Sequence, residues 1–185
     1  MVEASSFSGY RSAMNDTRAD EPLWLDDEEM DAWLAFNGVM LLLPAALDSQ
    51  MQRDNGITMF EYLVMAMLSE APGRTLQLKR LATVVNGSLS RLSHVVTRLE
   101  KRDWVRREPL PDNGRITMAT LTDSGFAKVV ASAPSHVRTV RELVFAQLDR
   151  DQVGRLAEIS DRLLRPLATD CMPERPGRGS VVRRG

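Results

Sequence analysis

The sequence predicts a mainly α-helical fold with a small β-hairpin, and three observations lead to this prediction. Apolar residues recur at helical spacing along most of residues 26–167. Two stretches with the pattern of short strands, Trp104–Glu108 and Arg115–Leu121, flank a turn-forming segment that contains Asn113 and Gly114. A chain of 185 residues, 43% hydrophobic and 26% charged, suffices for one soluble domain with a single core.

Composition narrows the class of protein further. Cys171 is the single cysteine, which excludes an intrachain disulfide and a cysteine-rich zinc site. The N-terminus lacks the basic and then apolar pattern of a signal peptide. The longest apolar stretch, residues 39–47, is too short for a membrane span and contains Pro44. We therefore expect a cytoplasmic protein in a reducing compartment, without a membrane partner.

Three regions differ in composition, and we expect one folded domain between two disordered ends. Residues 1–22 are rich in serine and alanine without periodicity, and residues 169–185 combine proline, glycine and four arginines in a basic tail. The folded domain, residues 23–168, is expected to contain a central lobe at about 57–123 and flanking helical regions at about 26–53 and 124–168.

The first helix is predicted to begin at the acidic run Asp26–Glu29, which complements the helix dipole, and to end near Arg53. A proline inside a helix removes a hydrogen bond and bends the axis, so we expect a kink at Pro44 or two helices. The apolar surface of this region is wider than a small lobe can cover. Part of it is therefore expected to face a second subunit or the C-terminal helices.

The next elements lead into the central lobe. Thr58 and Glu61 have the spacing of a capping box, and the helix that they begin is apolar on most sides, as expected of a central helix. Residues 71–73 end this helix, and residues 74–76 are expected to form a short strand that pairs with the hairpin.

Two helices joined by a glycine-containing turn follow, which is the pattern of a helix-turn-helix. The first covers Gln77–Val84, the turn is Val85–Gly87, and Ser88 stands at the N-cap of a second helix that continues to Lys101. The hairpin after these helices is then a wing. At helical spacing the second helix gathers apolar residues on one face, and these are Leu89, Leu92, Val95, Val96 and Leu99.

The opposite face of the second helix is small, polar and basic, and it lacks a carboxylate, as a helix that enters a DNA major groove requires. The candidates for contacts with base edges are Ser88, Ser90, Arg91 and His94. Among them Arg91 suits a bidentate contact with guanine. Thr97, Arg98 and Lys101 suit phosphates, and Ser93 completes the candidate set. The alternative interpretation is a polar face that is merely solvated.

The net charge conceals a basic lobe. A formal charge of -1 at first argues against a nucleic-acid partner. However, residues 1–73 carry 3 basic and 13 acidic side chains, whereas residues 74–128 carry 11 basic and 5 acidic ones. Residues 129–185 carry 10 basic and 7 acidic side chains. The basic excess thus falls on the helix-turn-helix and the wing, where phosphate contacts require it.

Two helices are predicted after the wing. Thr122 is placed to cap a helix that begins at Asp123 and extends to about Asp149, with Pro134 as an interruption or bend. The last helix is expected at about residues 151–167, with an apolar stripe inside and arginines outside. The stripe consists of Val153, Leu156, Ile159, Leu163 and Leu164.

Several segments together resemble the MarR family of winged-helix regulators. They are Leu81-Ala82, Ser88 to Asp103, Val105 to Arg107, Asp112 to Arg115 and Leu121 to Gly125. The resemblance implies a triangular homodimer in which the first and last helices of two subunits interlock. It also implies a transcriptional regulator, most often a repressor, that binds a roughly palindromic double-stranded DNA operator with half-sites about one helical turn apart.

The resemblance assigns two residues of the wing. The chain departs from the family pattern at the end of the second helix and at the wing tip, where Asn113 and Gly114 stand in place of a further charge. Arg115 is implied to reach the minor groove, oriented by a salt bridge from Asp112. Asp103 and Trp104 stand where the family usually has Gly-Leu. Aspartate tolerates a left-handed cap less well than glycine but better than most residues, so the turn is expected to persist. Trp104 is expected in the core at the base of the wing.

A small aromatic or phenolic effector is a further implication of the resemblance. It would bind between the dimerising helices and the winged lobe, change the separation of the two recognition helices and release DNA. Residues there would include Trp33, Phe36, Met40, Tyr62 and His136. The same residues fit an ordinary core, because methionine and aromatic side chains also fill irregular interiors.

Catalysis is not expected of this chain. His94 and His136 are the only histidines and lie on different predicted elements, and no cysteine or histidine cluster has the spacing of metal ligands. No glycine-rich phosphate loop occurs, so we expect neither an enzyme nor a cofactor. Cys171 is expected to be a passive thiol. The alternative function is a winged helix that acts as a protein-interaction module or as an architectural DNA binder without an effector.

Overall fold

The computed structural model describes residues 24–110 and 113–167. The predicted N-terminal arm and basic tail, together with Asp112 and Cys171, lie outside the described residues. The chain divides into two compact units, residues 1–42 and residues 43–185. In chain order the elements are α1 (Asp27–Asn55), α2 (Met59–Glu70), β1 (Thr75–Gln77), α3 (Leu78–Val84), α4 (Leu89–Lys101), β2 (Val105–Leu110), β3 (Asn113–Leu121), α5 (Asp123–Leu143) and α6 (Arg150–Leu167).

The described part of the first unit contains the beginning of α1. Reciprocal hydrogen bonds cap the helix, because Glu29 N–H donates to Asp26 Oδ1 at 2.8 Å and Asp26 N–H donates to Glu29 Oε2 at 3.1 Å. Its large apolar side chains are 42% to 73% exposed. They are Trp33, Leu34, Phe36, Val39, Met40, Leu41 and Leu42. Among the described residues of this unit, therefore, the apolar surface predicted from the sequence is exposed.

α1 runs through Pro44 without a break, so one helix forms where the sequence also allowed two. By length and composition alone the helix would also pass as a membrane span, with a mean hydropathy of 1.5 in its most apolar window. A long helix that packs against a second subunit has the same properties. Its last turns carry Asp48, Arg53 and Asp54.

The second unit is organised around a winged lobe in which α2, α3 and α4 pack on a three-stranded sheet. The sheet is antiparallel in the order β1-β3-β2, and the predicted short strand beside the hairpin is confirmed. Burial of the apolar faces holds the lobe together. The core consists of Met51, Ile57, Val64, Met65, Leu68, Leu81, Ala82, Val85, Leu92, Val95, Val96, Leu99, Val105, Ala119, Leu121 and Val129.

The wing strands are longer than the sequence predicts. Leu110 pairs with Asn113 after a register shift at Pro109, so the prediction of a turn over all of residues 109–114 is wrong. β2 lies at the edge of the sheet, where a proline can be accommodated without breaking a central ladder. The strand ladder therefore continues past Pro109, which pairs with Thr117.

Three predicted helix starts are confirmed by their caps. The hydroxyl oxygens of Thr58, Ser88 and Thr122 each accept a hydrogen bond from the backbone N–H three residues later, at 3.0 to 3.2 Å. Such a bond satisfies one of the orphan amides at a helix start. The predicted left-handed turn after α4 is also present, since Asp103 has φ 56°.

The C-terminal helices differ from the prediction in two respects. α5 runs through Pro134 as one helix but ends at Leu143, short of Asp149, and a short 3-10 turn at residues 145–147 follows. α6 begins at Arg150, as expected, but none of its residues is buried among the described residues. Leu156 is 40% exposed and Ile159 is 56% exposed. The prediction that its apolar stripe lies inside is therefore wrong for the described part of the second unit, where no residue of the stripe is fully buried.

Candidate nucleic-acid interface

The polar face of α4 forms the candidate interface. Leu92, Val95, Val96 and Leu99 are buried in the core and fix the helix on the lobe. Their burial leaves the opposite face exposed, with Ser88, Ser90, Arg91, His94, Arg98 and Lys101 on it. Leu89 is 51% exposed, so the prediction that it packs with the other apolar residues is wrong. It stands in the first turn of α4, beyond the edge of the core.

Arg91 lies against an aromatic ring that the sequence did not associate with it. Its guanidinium carbon is 4.2 Å from the centroid of the Phe60 ring, within the range of a cation–π contact. Gly87, in the turn before α4, lies against the same ring, since a Cβ there would come within 2.9 Å of Phe60 Cζ. Phe60, on the neighbouring helix α2, thus contacts Arg91, the residue predicted to bind a base.

Arg98 is tied to the buried carboxylate of Glu61. Arg98 Nε donates to Glu61 Oε1 at 3.0 Å, and the Glu61 side chain is 5% exposed. Burial alone would raise the pKa of Glu61. Hydrogen bonds from Thr58 and Arg98, with the charge of Arg98, outweigh burial and hold the pKa below its ordinary value. The carboxylate is therefore charged at neutral pH, and Arg98 is the charge that balances it.

Ser93 and Thr97 are half-buried and bonded to the wing. Arg107 of β2 donates to Thr97 Oγ1 at 3.1 Å and to Ser93 Oγ at 3.4 Å, and its guanidinium pairs with Glu100. Arg107 was not among the predicted residues. A signal for it exists in the sequence, because strand alternation puts Arg107 on the same side of β2 as the buried Val105. These contacts connect α4 to the wing.

The wing contributes Arg115, which is exposed at the start of β3. Its backbone N–H donates to Asn113 Oδ1 at 3.2 Å. The predicted salt bridge from Asp112 involves a residue outside the described part of the chain. Trp104 is half-buried and packs against the core, as expected for the base of the wing.

The residues suggested for effector binding fall into two groups. In the second unit, the rings of Tyr62 and His136 are 5.1 Å apart, and the buried His136 Nδ1 has no hydrogen-bond partner among the described residues. Burial lowers the pKa of His136 and raises that of Tyr62, which favours the neutral form of both rings. In the first unit, the Trp33 and Phe36 ring centroids are 6.5 Å apart, and Met40 is 42% exposed.

No candidate metal site is found in the part of the chain that the structure describes. Among residues 24–110 and 113–167, no group of three or more histidine, cysteine, aspartate or glutamate side chains is arranged to hold a metal ion. The side chains at the candidate interface offer hydrogen bonds and charge.

Comparison with known proteins adds an independent line of evidence. The MarR family model matches residues 57–117, from two residues before α2 into β3. The chain is 40% identical to Sco3205 from Streptomyces coelicolor, a MarR family transcriptional regulator solved in complex with DNA. That match has a TM-score of 0.76 and covers 83% of this chain and 96% of Sco3205. No curated protein matches the chain.

Two further solved structures show the same fold. AbsC, a MarR family transcriptional regulator from Streptomyces coelicolor, is 36% identical with a TM-score of 0.70, over 82% of this chain and 96% of AbsC. A mutant MarR from E. coli, complexed with operator DNA, is 20% identical with a TM-score of 0.64, over 76% of this chain and 99% of that one. With an identity of 40% to Sco3205 over most of both chains, the chain belongs to the MarR family of transcriptional regulators.

Proposed function

We propose that this regulator binds a roughly palindromic operator as a homodimer and represses transcription until a small aromatic or phenolic effector releases it. The recognition helix, α4, reads base edges in the major groove, and the wing residue Arg115 contacts the minor groove. Phosphate contacts from the basic lobe supply most of the salt-dependent affinity, whereas the base contacts supply specificity.

The observation that carries the proposal is the exposed face of α4. The helix is fixed by four buried apolar residues, and its free side presents serines, a histidine and cations. Glu100, the one acidic residue of α4, is paired with Arg107, which balances the charge that would otherwise repel a phosphate backbone. Sco3205, with 40% identity, was solved in complex with DNA, which supports the same partner for this chain.

A mobility-shift assay on the DNA upstream of the protein's own gene tests the proposal. We expect a specific complex that survives an excess of random DNA and weakens steeply as salt rises, because counterions are released on binding. The preference for the upstream fragment should persist at salt concentrations that abolish binding to random DNA. Equal affinity for both fragments at every salt concentration would contradict sequence-specific regulation.

The exposed apolar side chains of α1 and α6 support a homodimer. An uncovered patch of this kind marks an interaction site in a soluble protein. Trp33, Leu41 and Leu42 of α1 and Ile159 of α6 are each 48% or more exposed. Two winged lobes joined through such helices would place their recognition helices on successive major grooves, roughly 34–36 Å apart along the DNA.

Substituting Leu156 with glutamate should convert the dimer into a monomer. Leu156 stands in the apolar stripe of α6, and a buried unpaired carboxylate would oppose association there. Light scattering after gel filtration should give half the wild-type mass. Arg165→Gln is the matched control, because it changes the charge equally but lies nine residues, or two and a half turns, away on the opposite side. If both variants keep the dimer mass, α6 is not in the interface.

The effector part of the proposal is supported by the neutral ring pair of Tyr62 and His136. Their rings lie 5.1 Å apart, and His136 Nδ1 lacks a hydrogen-bond partner among the described residues. A planar ligand with a hydroxyl or carboxyl group suits a site that offers ring faces and one free polar atom. Trp33, Phe36 and Met40 of the first unit are exposed and remain candidates for contact with the effector.

A further inference from the structure

Glu61 uses its two carboxylate oxygens for different tasks. Oε2 accepts hydrogen bonds from Thr58 N at 2.9 Å and from Thr58 Oγ1 at 3.2 Å, which closes the capping box of α2. Oε1 accepts from Arg98 Nε at 3.0 Å. A capping box works with glutamine as well as with glutamate. The buried negative charge is therefore not needed for the cap, and its remaining partner is Arg98.

Arg98 is held along one edge and exposed along the other. Its side chain is 52% exposed although Nε is bonded to Glu61. A guanidinium has five N–H donors, so the four on the Nη atoms remain available beyond the bonded Nε. An arginine that is already oriented loses less conformational entropy when it binds an anion. The contact with Glu61 thus prepares Arg98 for a phosphate.

The anchor of Arg98 belongs to a neighbouring part of the lobe and not to α4 itself. The start of α2 is fixed by its capping box and by Met59 N–H, which donates to Asp48 Oδ1 of α1 at 2.7 Å. Asp48, Met59, Glu61 and Arg98 all lie in the second unit. The direction of the Arg98 side chain is therefore set by the start of α2, which is itself bonded to the last turns of α1.

We infer that Glu61 is a positioning residue for DNA binding, which acts by orienting Arg98 towards a phosphate of the operator. The inference rests on the proposed function. Its rival is sequestration, in which the carboxylate competes with the phosphate for Arg98 and weakens binding. The two differ in sign, because neutralising Glu61 lowers the affinity for DNA under positioning and raises it under sequestration.

A double-mutant cycle with Glu61→Gln and Arg98→Ala tests the inference. Arg98→Ala should lower the operator affinity about tenfold and reduce the slope of log affinity against log salt by about 1, the loss of one phosphate contact. Glu61→Gln should lower the affinity roughly 3- to 10-fold and flatten the same slope, because Arg98 is no longer held. In the Arg98→Ala background, Glu61→Gln should have no further effect.

Thr58→Ala is the matched control for damage to the helix cap. It removes the capping hydroxyl, with its bond to Glu61 Oε2, but leaves the bond from Thr58 N–H to that oxygen and the contact between Glu61 and Arg98. It should lower Tm by about 2–4 °C, the loss expected for one cap, with an unchanged salt slope. If Glu61→Gln does not fold, as judged by circular dichroism, Glu61→Asp serves instead, since it keeps the charge but withdraws the carboxylate from Arg98 by one methylene.

Three results would overturn the inference. An equal loss from Glu61→Gln with and without Arg98 would show that Glu61 acts through the fold. A gain in affinity with a steeper salt slope would establish sequestration. A wild-type protein that binds no DNA would contradict the proposed function and the inference together, whereas the first two results contradict the inference alone.

Discussion

Replacing Gly125 with alanine is expected to lower the free energy of unfolding by about 3 kcal/mol, the upper part of the range for overpacking a rigid site. A Cβ at this position would lie 2.1 Å from the carbonyl oxygen of Trp104 and 2.8 Å from Leu121 Cδ1. The first of these is a backbone atom that accepts a hydrogen bond from Thr122 N at 3.1 Å. The clash can be relieved only if the start of α5 moves away from the base of the wing.

Gly154→Ala is the control for this prediction. Gly154 also lies in a helix, α6, but a Cβ there would meet no atom of the described residues within 4 Å. Alanine should therefore stabilise the protein by about 0.5–1 kcal/mol, the ordinary cost of a glycine inside a helix. Urea unfolding followed by tryptophan fluorescence measures both variants. A Gly125→Ala protein as stable as the wild type would show that α5 can shift at little cost.

Local signals predicted the elements of the fold correctly. Ser88, Thr58 and Thr122 cap the helices that they were expected to cap, because a cap involves only the next three residues. The apolar periodicity of α4 likewise predicted its buried residues, apart from Leu89. At the wing turn and at the end of α5, the sequence predicted the element correctly but placed its boundary wrongly. Boundaries depend on strand pairing and packing between elements, which local patterns do not contain.

Contacts between distant residues account for what the sequence could not predict about the candidate interface. Arg98 was expected to face a phosphate, and the pattern held no sign of Glu61, which lies 37 residues earlier in the chain. Phe60 belongs to a helix that was expected to be central, and its contact with Arg91 follows only from how α2 packs beside α4. Periodicity shows which face of a helix is polar but not which neighbour orients each side chain on it.

The apolar stripe of α6 illustrates the same limit for the whole assembly. The spacing of its apolar residues indicates a face that packs against another element. It does not distinguish an element of the same chain from one of a second subunit. Among the described residues no side chain of α6 is buried, so the sequence predicted the stripe correctly but not what covers it. We propose that a second subunit covers the stripe, and the mass of the Leu156→Glu variant tests this proposal.

Arg91→Ala is expected to lower the operator affinity by about 1–3 kcal/mol, or roughly 5- to 150-fold, and to relax the base preference at one position of each half-site. Binding to random DNA should change far less, because the loss falls on a contact with a base. Competition against operators with single substitutions measures both effects. Arg155→Ala, which removes an exposed cation from α6, should change neither. A uniform loss across all operators would instead assign Arg91 to a phosphate.

Phe60→Leu separates the orientation of Arg91 from its presence. Leucine retains the apolar contact of a half-buried residue but removes the ring that lies 4.2 Å from the guanidinium carbon. The base preference should therefore weaken at the same position as in Arg91→Ala, with a smaller loss, since a cation–π contact contributes about 0.5–1 kcal/mol.

Combining Arg91→Ala with Arg115→Ala separates a regulator from a protein-interaction module. Arg91 lies on the recognition helix and Arg115 on the wing, so the pair removes one predicted contact from each groove of the DNA. A regulator should lose its preference for the operator, and the two losses should add, because the residues share no contact in the structure. A module that binds another protein through buried apolar anchors would retain its partner, since neither arginine supports the core.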